Sequence, residues 1–287
     1  MLDLHIHSKY SDGNLSPEDI VDAAIELGLT AISISDHDNI LSHQFAQAHV
    51  DMKSQEAGKK LLEIIPGVEI NTLWKGHEIH ILGYFMDISS KPFLDLLLYQ
   101  QHARTEQTVK IVEKLRKLTN MNIKLEDITS LVAEGGSIGR PHIARAISNA
   151  GGTRNIIEAY NKYINDNAPT YVKRKTVSPH EAAEIVYEAG GISVLAHPCD
   201  LEVAEDLIKD LMNYGLRGIE AYHRKHSPAM VEYYSTMAEH YGLVVTGGSD
   251  CHGTKVGKQL FLGKNFVPDW ILDELKKEKS RIEIASC

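Results

Sequence analysis

Residues 3–13 read DLHIHSKYSDG, and this stretch asks why a chain would build imidazoles into its first strand. His5 and His7 are two residues apart. On a β-strand that spacing turns both rings to one face and Leu4 and Ile6 to the other. Asp3 shares the imidazole face, and Asp12 follows in the adjoining turn. A strand serving structure alone would bury apolar groups there. The pair is therefore either exposed polar surface or part of a site, and the remaining sequence decides between them.

The same pattern recurs along the chain. Short apolar runs end in polar clusters: LTAISISDHD (29–38), LEIIPGVEI (62–70), HEIHILGYF (77–85), GGISVLAHP (190–198), LRGIEAYH (216–223) and LVVTGGSDCH (243–252). Helical periods separate many of them. SPEDIVDAAIELG (16–28) has a Ser16 cap, Pro17 at the first helical position, apolar Ile20, Ala23, Ala24 and Leu27, and Gly28 as the stop. SPHEAAEIVYEAGG (178–191) and SPAMVEYYSTMAEHYG (227–242) repeat the plan. Alternating strands and helices predict an α/β domain with a parallel sheet and crossover helices. Near-continuous apolar strands agree with burial on both faces.

From Lys91 to Asn167 the pattern is helical, with LLLYQQHARTEQTVKIVEKLRKL (96–118) as one long helix and GRPHIARAISNAGG (139–152) and TRNIIEAYNKYIND (153–166) as shorter ones. This predicts a barrel-like domain from 1–90 and 168–287 with a helical insertion at 91–167 capping the active site. PDWILDELKKEKS (268–280) reads as a closing helix.

Bulk properties narrow the class. The 287 residues are 43% hydrophobic, enough for a large core. No apolar run suits a membrane span and no secretory leader pattern opens the chain. Three cysteines, Cys199, Cys251 and Cys287, make an odd number without a CxxC, so a disulfide framework is not expected and a reducing, cytoplasmic setting is. A net charge of −9 argues against an extended nucleic-acid surface but not against binding a small anion or one RNA end.

Position carries the functional reading. In a parallel α/β barrel, functional groups gather at the C-terminal ends of strands. Here His5 and His7 close the first strand and Asp12 follows it. Asp36, His37 and Asp38 end the second run, Glu69 ends PGVE, and His197, His223, Asp250 and His252 end or follow later runs. His80 lies inside EIHILGY on the face of Glu78. Any one of these has a structural explanation, such as a helix cap. Together at the strand mouths they converge on one pocket, where so many carboxylates and imidazoles require cations among them. Mixed N and O donors suit Zn, Mn or Fe. Cys199 and Cys251 are read as packing.

The motifs HIHSKYSDG, SDHD, PGVEI, HEIHILGY, LAHP and GSDCH resemble, in order, those of the PHP (polymerase and histidinol phosphatase) family. GRPHIARA and YVKRKTVSPHEA further resemble its stand-alone phosphoesterases, among them nucleoside 3′,5′-bisphosphate phosphatases and 5′-to-3′ exoribonucleases. The resemblance implies a distorted (β/α)7 barrel and a site for two or three divalent ions. By it, His5, His7, Glu69 and Asp250 hold one metal, and Asp12, His37 and His252 a second. Glu69 bridges to a third, completed by His80 and His197. Some members have His where Asp12 stands; Asp is typical of the small-molecule branch.

The reaction expected is hydrolysis of a phosphate ester by a metal-bridging hydroxide, with no covalent intermediate. An anionic substrate also needs cationic side chains. Arg140, in GGSIGRPH, is the first candidate for a bidentate phosphate fork, and Lys173 the second. His223 is a candidate to bind phosphate or protonate the leaving oxygen. His142, Arg145 and His226 are weaker candidates. Asp3, Asp36 and Asp38 are read as carboxylates that orient imidazoles, and His77 and Glu78 as equally suited to a solvated hairpin. The expected substrate is a nucleoside 3′,5′-bisphosphate or the 5′ end of a short oligoribonucleotide. Histidinol phosphate, a cyclic sugar phosphate, or a non-catalytic metal-binding module are the alternatives.

Overall fold

Strand and helix alternate from the first residues, as the apolar periodicity requires. The computed structural model describes residues 1–201, 204–253, 255–256 and 259–285; Cys287 lies outside them. The first half comprises β1 (Leu2–Ile6), α1 (Pro17–Glu26), β2 (Ala31–Ile34), α2 (Leu41–Ala57), β3 (Glu63–Ile64), β4 (Gly67–Trp74) and β5 (His77–Tyr84). Helices α3 (Lys91–Leu118), α4 (Leu125–Thr129), α5 (Arg140–Asn149) and α6 (Ile156–Ala159) follow, with a π-turn at Tyr160–Ile164. The chain then forms α7 (Pro179–Glu188), β6 (Ile192–Leu195), α8 (Ala204–Met212), β7 (Leu216–His223), α9 (Pro228–Tyr241) and β8 (Val244–Gly248). A small hairpin, β9 (Lys255–Val256) with β10 (Gln259–Leu260), and α10 (Trp270–Ala285) complete it.

The Ser-Pro starts behave as local chemistry dictates. Ser16 Oγ accepts from the Asp19 amide at 3.1 Å while the Asp19 carboxylate accepts from the Ser16 amide at 3.3 Å. That reciprocal cap satisfies two of the free amides at the start of α1. Ser178 and Glu181 repeat it on α7. No helix among the described residues is long and apolar enough to cross a membrane.

Three corrections to the sequence reading concern the sheet. First, the run LEIIPGVEI is two strands, β3 and β4, split at Pro66, which has no amide hydrogen to continue a ladder. Second, β5 is not parallel. It pairs antiparallel with both β4 and β6, through a two-residue turn at Lys75 and Gly76. His80 therefore stands near the start of its strand yet at the mouth where β4 carries Glu69 and Asn71.

Third, the sheets do not close into a barrel. The ladders form one sheet of order β1-β2-β3 and another of order β4-β5-β6-β7-β8. At one seam the Asp3 carboxylate takes the Ser249 and Gly263 amides, each at 2.8 Å, in place of strand pairing. Only the strand ends meet there, with Asp250 N donating to His5 O at 2.8 Å and His7 N to Cys251 O at 2.9 Å. At the other seam a single bridge joins His37 to Glu69. Both seams thus fall on residues of the candidate site.

The apolar interior has three parts. The largest lies between the five-stranded sheet and its helices, around Tyr84, Ile81, Val194 and Ile219. A second lies under β1 and β2. A third, around Leu115, Ile128 and Ile147, belongs to α3–α6 and the π-turn. Helix α3 spans two of them: Phe93 and Leu97 pack into the first core and Ile111 and Leu115 into the third.

Gly248 is fixed by the first seam. A Cβ there would lie 2.3 Å from His5 N and 2.4 Å from His5 Cβ. Gly248→Ala must push β8 from β1 and shift His5. We expect a loss of about 1–3 kcal/mol of stability, measured by urea denaturation; an unchanged midpoint would contradict this close approach.

Candidate metal centre

Glu69 sits near the start of β4, not at the end of a strand as the sequence suggested, among five imidazoles. Its Oε2 lies 3.4 Å from His5 Nε2, 3.3 Å from His7 Nε2 and 2.9 Å from His37 Nδ1. Its Oε1 lies 2.7 Å from His80 Nδ1 and 3.1 Å from His197 Nε2. β1 supplies His5, and His7 follows directly at its end. The bridge between the strand ends supplies His37, the antiparallel return of β5 supplies His80, and the turn after β6 supplies His197.

Two more carboxylates complete the ring. Asp250 Oδ1 is 3.3 Å from His7 Nε2, 3.5 Å from His252 Nδ1 and 3.9 Å from His5 Nε2. Asp12 reaches His252 Nε2 at 3.3 Å and His37 Nε2 at 3.9 Å. Within the cluster three groups have potential ligand atoms within 4.8 Å of one another: His7, Asp12, His37 and His252; His5, His7 and Asp250; and His37, Glu69 and His80.

These residues fit metal ions by an observation independent of likeness. His5 Nε2, His7 Nε2 and His37 Nδ1 are buried and have no hydrogen-bond partner. Buried polar atoms without a partner are costly and rare. Here they face carboxylate oxygens at distances too long or too oblique for hydrogen bonds, the arrangement a cation between them would explain. Backbone strain collects at the same place. Asp38, His197 and Asp250 adopt φ of 51°, 27° and 52°, conformations that L-residues seldom hold without compensation.

Electrostatics divides the imidazoles. Burial, then the neighbouring His252 and His37, lower His7 to about 3, so its ring is neutral at pH 7, as a ligand must be. His252 is opposite: burial opposes its charge, but Asp12 and Asp250 outweigh burial and raise it to about 9. The buried Glu220 carboxylate on β7 accepts from His5 Nδ1 at 3.0 Å and from the His197 amide at 2.8 Å. Burial pushes Glu220 up, yet His5 and His223 pull it down to about 2. Glu220 fixes which nitrogen His5 turns to Glu69.

The carboxylates expected to orient imidazoles do other work, which corrects that reading. Asp3 holds the Ser249 and Gly263 amides. Asp36 takes the Ser8 amide at 2.7 Å and the Ser8 and Ser11 hydroxyls, each at 2.6 Å, fixing the loop that carries Asp12. Asp38 accepts from Arg104 Nε at 2.7 Å and from the Asn71 amide at 3.0 Å. The imidazole-orienting carboxylate is Glu220, which sequence reasoning missed. A register shift between Glu220 and Tyr222 breaks strand alternation, so that Glu220 and His223 both reach the cluster.

The cationic candidates are placed unevenly. Arg140 lines a cavity beside the cluster, but its guanidinium is paired with Glu78 at 2.6 Å and Asp166 at 2.8 Å. Glu78 follows a hairpin turn, as read. Lys173 is exposed and is not among the residues lining that cavity; its neighbour Arg174 is. His142 Nδ1 accepts from the Gly139 amide at 2.9 Å, a helix-start contact. Arg145 donates to Asn14 Oδ1 at 2.8 Å at the rim. His226 donates from Nδ1 to the Ala221 carbonyl at 2.7 Å.

His223 is buried, with Nε2 unpartnered and 3.5 Å from Asp250 Oδ2. Arg224, not singled out in the sequence, donates to Asp250 Oδ2 at 3.0 Å. Arg104 was also missed. Its signal is a polar series at helical spacing, Gln100, Arg104 and Thr108, along the buried face of α3.

The chain belongs to the PHP domain family, whose model matches residues 3–196. It is a hydrolase of that phosphoesterase family. It is 29% identical over 290 residues to the 5′-3′ exoribonuclease Rnm of Escherichia coli (strain K12), covering 98% of this chain and 97% of the relative. It is 26% identical over 260 residues to the 3′,5′-nucleoside bisphosphate phosphatase of Chromobacterium violaceum, covering 89% and 88%. A solved structure from Bifidobacterium adolescentis, assigned as a metal-dependent phosphoesterase, superposes with a TM-score of 0.84 at 31% identity, covering 96% of this chain and 94% of that one.

The protonation states yield a test. His252, raised to about 9 without metal, must lose its proton to bind a cation. Raising pH toward 9 removes that proton in advance. Affinity of chelated protein for Mn2+ should therefore rise between about pH 6 and 9, with proton release on binding at pH 7. Calorimetry in buffers of differing ionisation enthalpy measures both; pH-independent affinity without proton release would contradict the assignment.

Proposed function

We propose that the protein is a metal-dependent phosphoesterase acting on a phosphate group of a small nucleotide, such as a nucleoside 3′,5′-bisphosphate, or on the 5′ end of a short oligoribonucleotide. The observation that carries this reading is the Glu69-centred cluster with its unpartnered imidazole nitrogens, beside a cavity that Asp12, His37 and His80 line together with Arg104, Arg140 and Arg174. Two or three divalent ions of the Mn, Fe or Zn type suit the donors. His5, His7, Glu69 and Asp250 would hold one, and Asp12, His37 and His252 another. Glu69, His80 and His197 would hold a third. Ions bound there supply water activation at neutral pH and neutralise phosphoryl charge.

The remaining roles belong to the chain itself. Glu220 holds His5 and the strained His197 backbone in place. The Asp38–Arg104 pair anchors α3 to the loop after β2, and through Ile138, whose carbonyl accepts from Arg104 at 3.1 Å, ties in the start of α5. Residues 91–167 act in this reading as a cap: Gly139, at the start of α5, packs so closely on Asp12 that a Cβ would lie 3.2 Å from Asp12 Cβ. His223, buried and carrying a free Nε2, is the group we assign to protonate the leaving oxygen. No serine or cysteine nucleophile is needed.

Phosphate release by Mn-loaded protein tests the proposal, comparing adenosine 3′,5′-bisphosphate, 5′-phosphorylated dinucleotides, histidinol phosphate and a cyclic phosphodiester. The nucleotides should be hydrolysed at least tenfold more efficiently than the other two. Preference for histidinol phosphate or the cyclic ester would overturn the substrate assignment. His197→Ala should lose metal and activity together; full activity in a variant lacking bound metal would overturn the mechanism.

A further inference from the structure

The charge of the chain is not spread evenly. Residues 91–177 hold 14 Lys and Arg against 8 Asp and Glu, a balance of +6, while the rest hold 16 against 31, a balance of −15. The overall −9 therefore conceals a basic segment joined to an acidic one. Part of the basic excess is neutralised locally. Arg104 pairs with Asp38, and Arg140 with Glu78 and Asp166. Lys91 is held by Asp95, and Lys110 lies 4.0 Å from Glu106. Lys114, Lys117, Lys173 and Lys175 are exposed and form no ion pair among the described residues.

These lysines follow one edge that begins beside the cluster. Residues 171–177 run along α3 and β4. Gln107 Nε2 donates to the Val172 carbonyl, Lys114 Nζ to the Tyr171 carbonyl and Thr176 Oγ1 to the Asn71 carbonyl, each at 2.7 Å. Gln107 also lines the cavity beside the cluster. Positions 107, 114 and 117 share a helix face, so Lys114 and Lys117 lead away from that cavity at about 1.5 Å per residue. Lys114 bonds only a carbonyl, which leaves its charge uncancelled. Tyr160 lines the same cavity, and half-buried Tyr171 stands near its rim. Burial, then Asp166 and Glu78, push the Tyr171 hydroxyl up while Arg140 and Arg174 pull it down, so the charges of the cavity wall reach it. Uncancelled cations in a row beside aromatic rings suit a single-stranded nucleic acid, whose phosphates follow the charge and whose unpaired bases stack on the rings. A duplex keeps its bases paired and cannot use the rings.

We propose that this edge is a track for single-stranded RNA, on which a base stacks at Tyr171 and the following phosphates lie along Lys173, Lys114 and Lys117. The inference rests on the phosphoesterase reading above and narrows its substrate. The chain that follows the 5′ end adds affinity, so oligoribonucleotides of several residues are preferred to dinucleotides. The acidic remainder of the protein repels RNA and confines it to this edge. Length preference then resides in the helical segment and hydrolysis of the terminal group in the strand ends.

Release of the 5′ nucleotide from 5′-phosphorylated oligoadenylates of two and eight residues by Mn-loaded protein tests the track. Wild type should show a kcat/KM about tenfold or more higher on the octamer. The logarithm of kcat/KM should fall against the logarithm of NaCl concentration more steeply for the octamer, by a slope of about 2, as three phosphate contacts on a single strand require. The triple variant Lys114→Gln, Lys117→Gln, Lys173→Gln should abolish both differences and leave the dimer within about threefold of wild type. The corresponding triple arginine variant should keep both. Tyr171→Leu should lower the octamer value about fivefold or more with its salt slope unchanged. An octamer advantage absent from wild type, or retained by the triple glutamine variant, would overturn the track while leaving the phosphoesterase reading intact. If the variant that retains it instead loses adhesion to phosphatidylglycerol vesicles, the lysines serve a membrane and not RNA. Wild type inactive on both oligonucleotides and on adenosine 3′,5′-bisphosphate would overturn that reading and this inference with it.

Discussion

One buried carboxylate facing five imidazoles is the constraint around which this molecule is arranged. Glu69 is 1% exposed, and His5 and His7 not at all, so water does not offset the cost of their polarity. Three of the surrounding ring nitrogens lack any hydrogen bond. Such an interior persists only if something compensates it, and divalent cations do so with the donors present. The rest follows from that demand. The sheet opens into two at the seams where His5, His7, His37 and Glu69 must leave regular pairing, and Asp3 and Asp36 spend their charge holding the loops that result. Strain at Asp38, His197 and Asp250 is the conformational expression of the same demand.

Much of this was legible in the sequence because strand chemistry is periodic. His5 and His7 share a face, and the groups after later runs fall at strand mouths; the structure brings all nine together around Glu69, Asp12 and Asp250. The strand–helix alternation and the Ser-Pro starts were also readable, since both depend on neighbours in the chain. What the sequence hid was non-local or broke the period. Nothing local shows that β5 reverses, or that the seams stay open because a side chain replaces a strand. Glu220 was concealed within an apolar strand, and a bulge cancelled the alternation that would have tied it to His223. Lys173 and Arg174 are neighbours that differ in exposure: Lys173 is exposed, while Arg174 lines the cavity beside the cluster.

The division of labour follows the division of the chain. Strands and their loops supply the candidate ligands. Helix α3 and the extended segment 171–177 supply Arg104 and Arg174, the cations that face the same cavity. Helix α3 roots in both the sheet core and the core of the helical segment, so the cationic wall is fixed relative to the ligands rather than hung on a mobile loop.

The central claim is that the Glu69 carboxylate is shared between cations. Diffraction from Mn-soaked crystals, with anomalous maps collected at the manganese edge, tests it most directly. The account predicts at least two anomalous peaks, each within about 2.5 Å of donor atoms of this cluster, with Glu69 touching more than one. Peaks elsewhere on the protein, or a cluster that stays metal-free with its imidazoles and carboxylates hydrogen-bonded to one another, would contradict it.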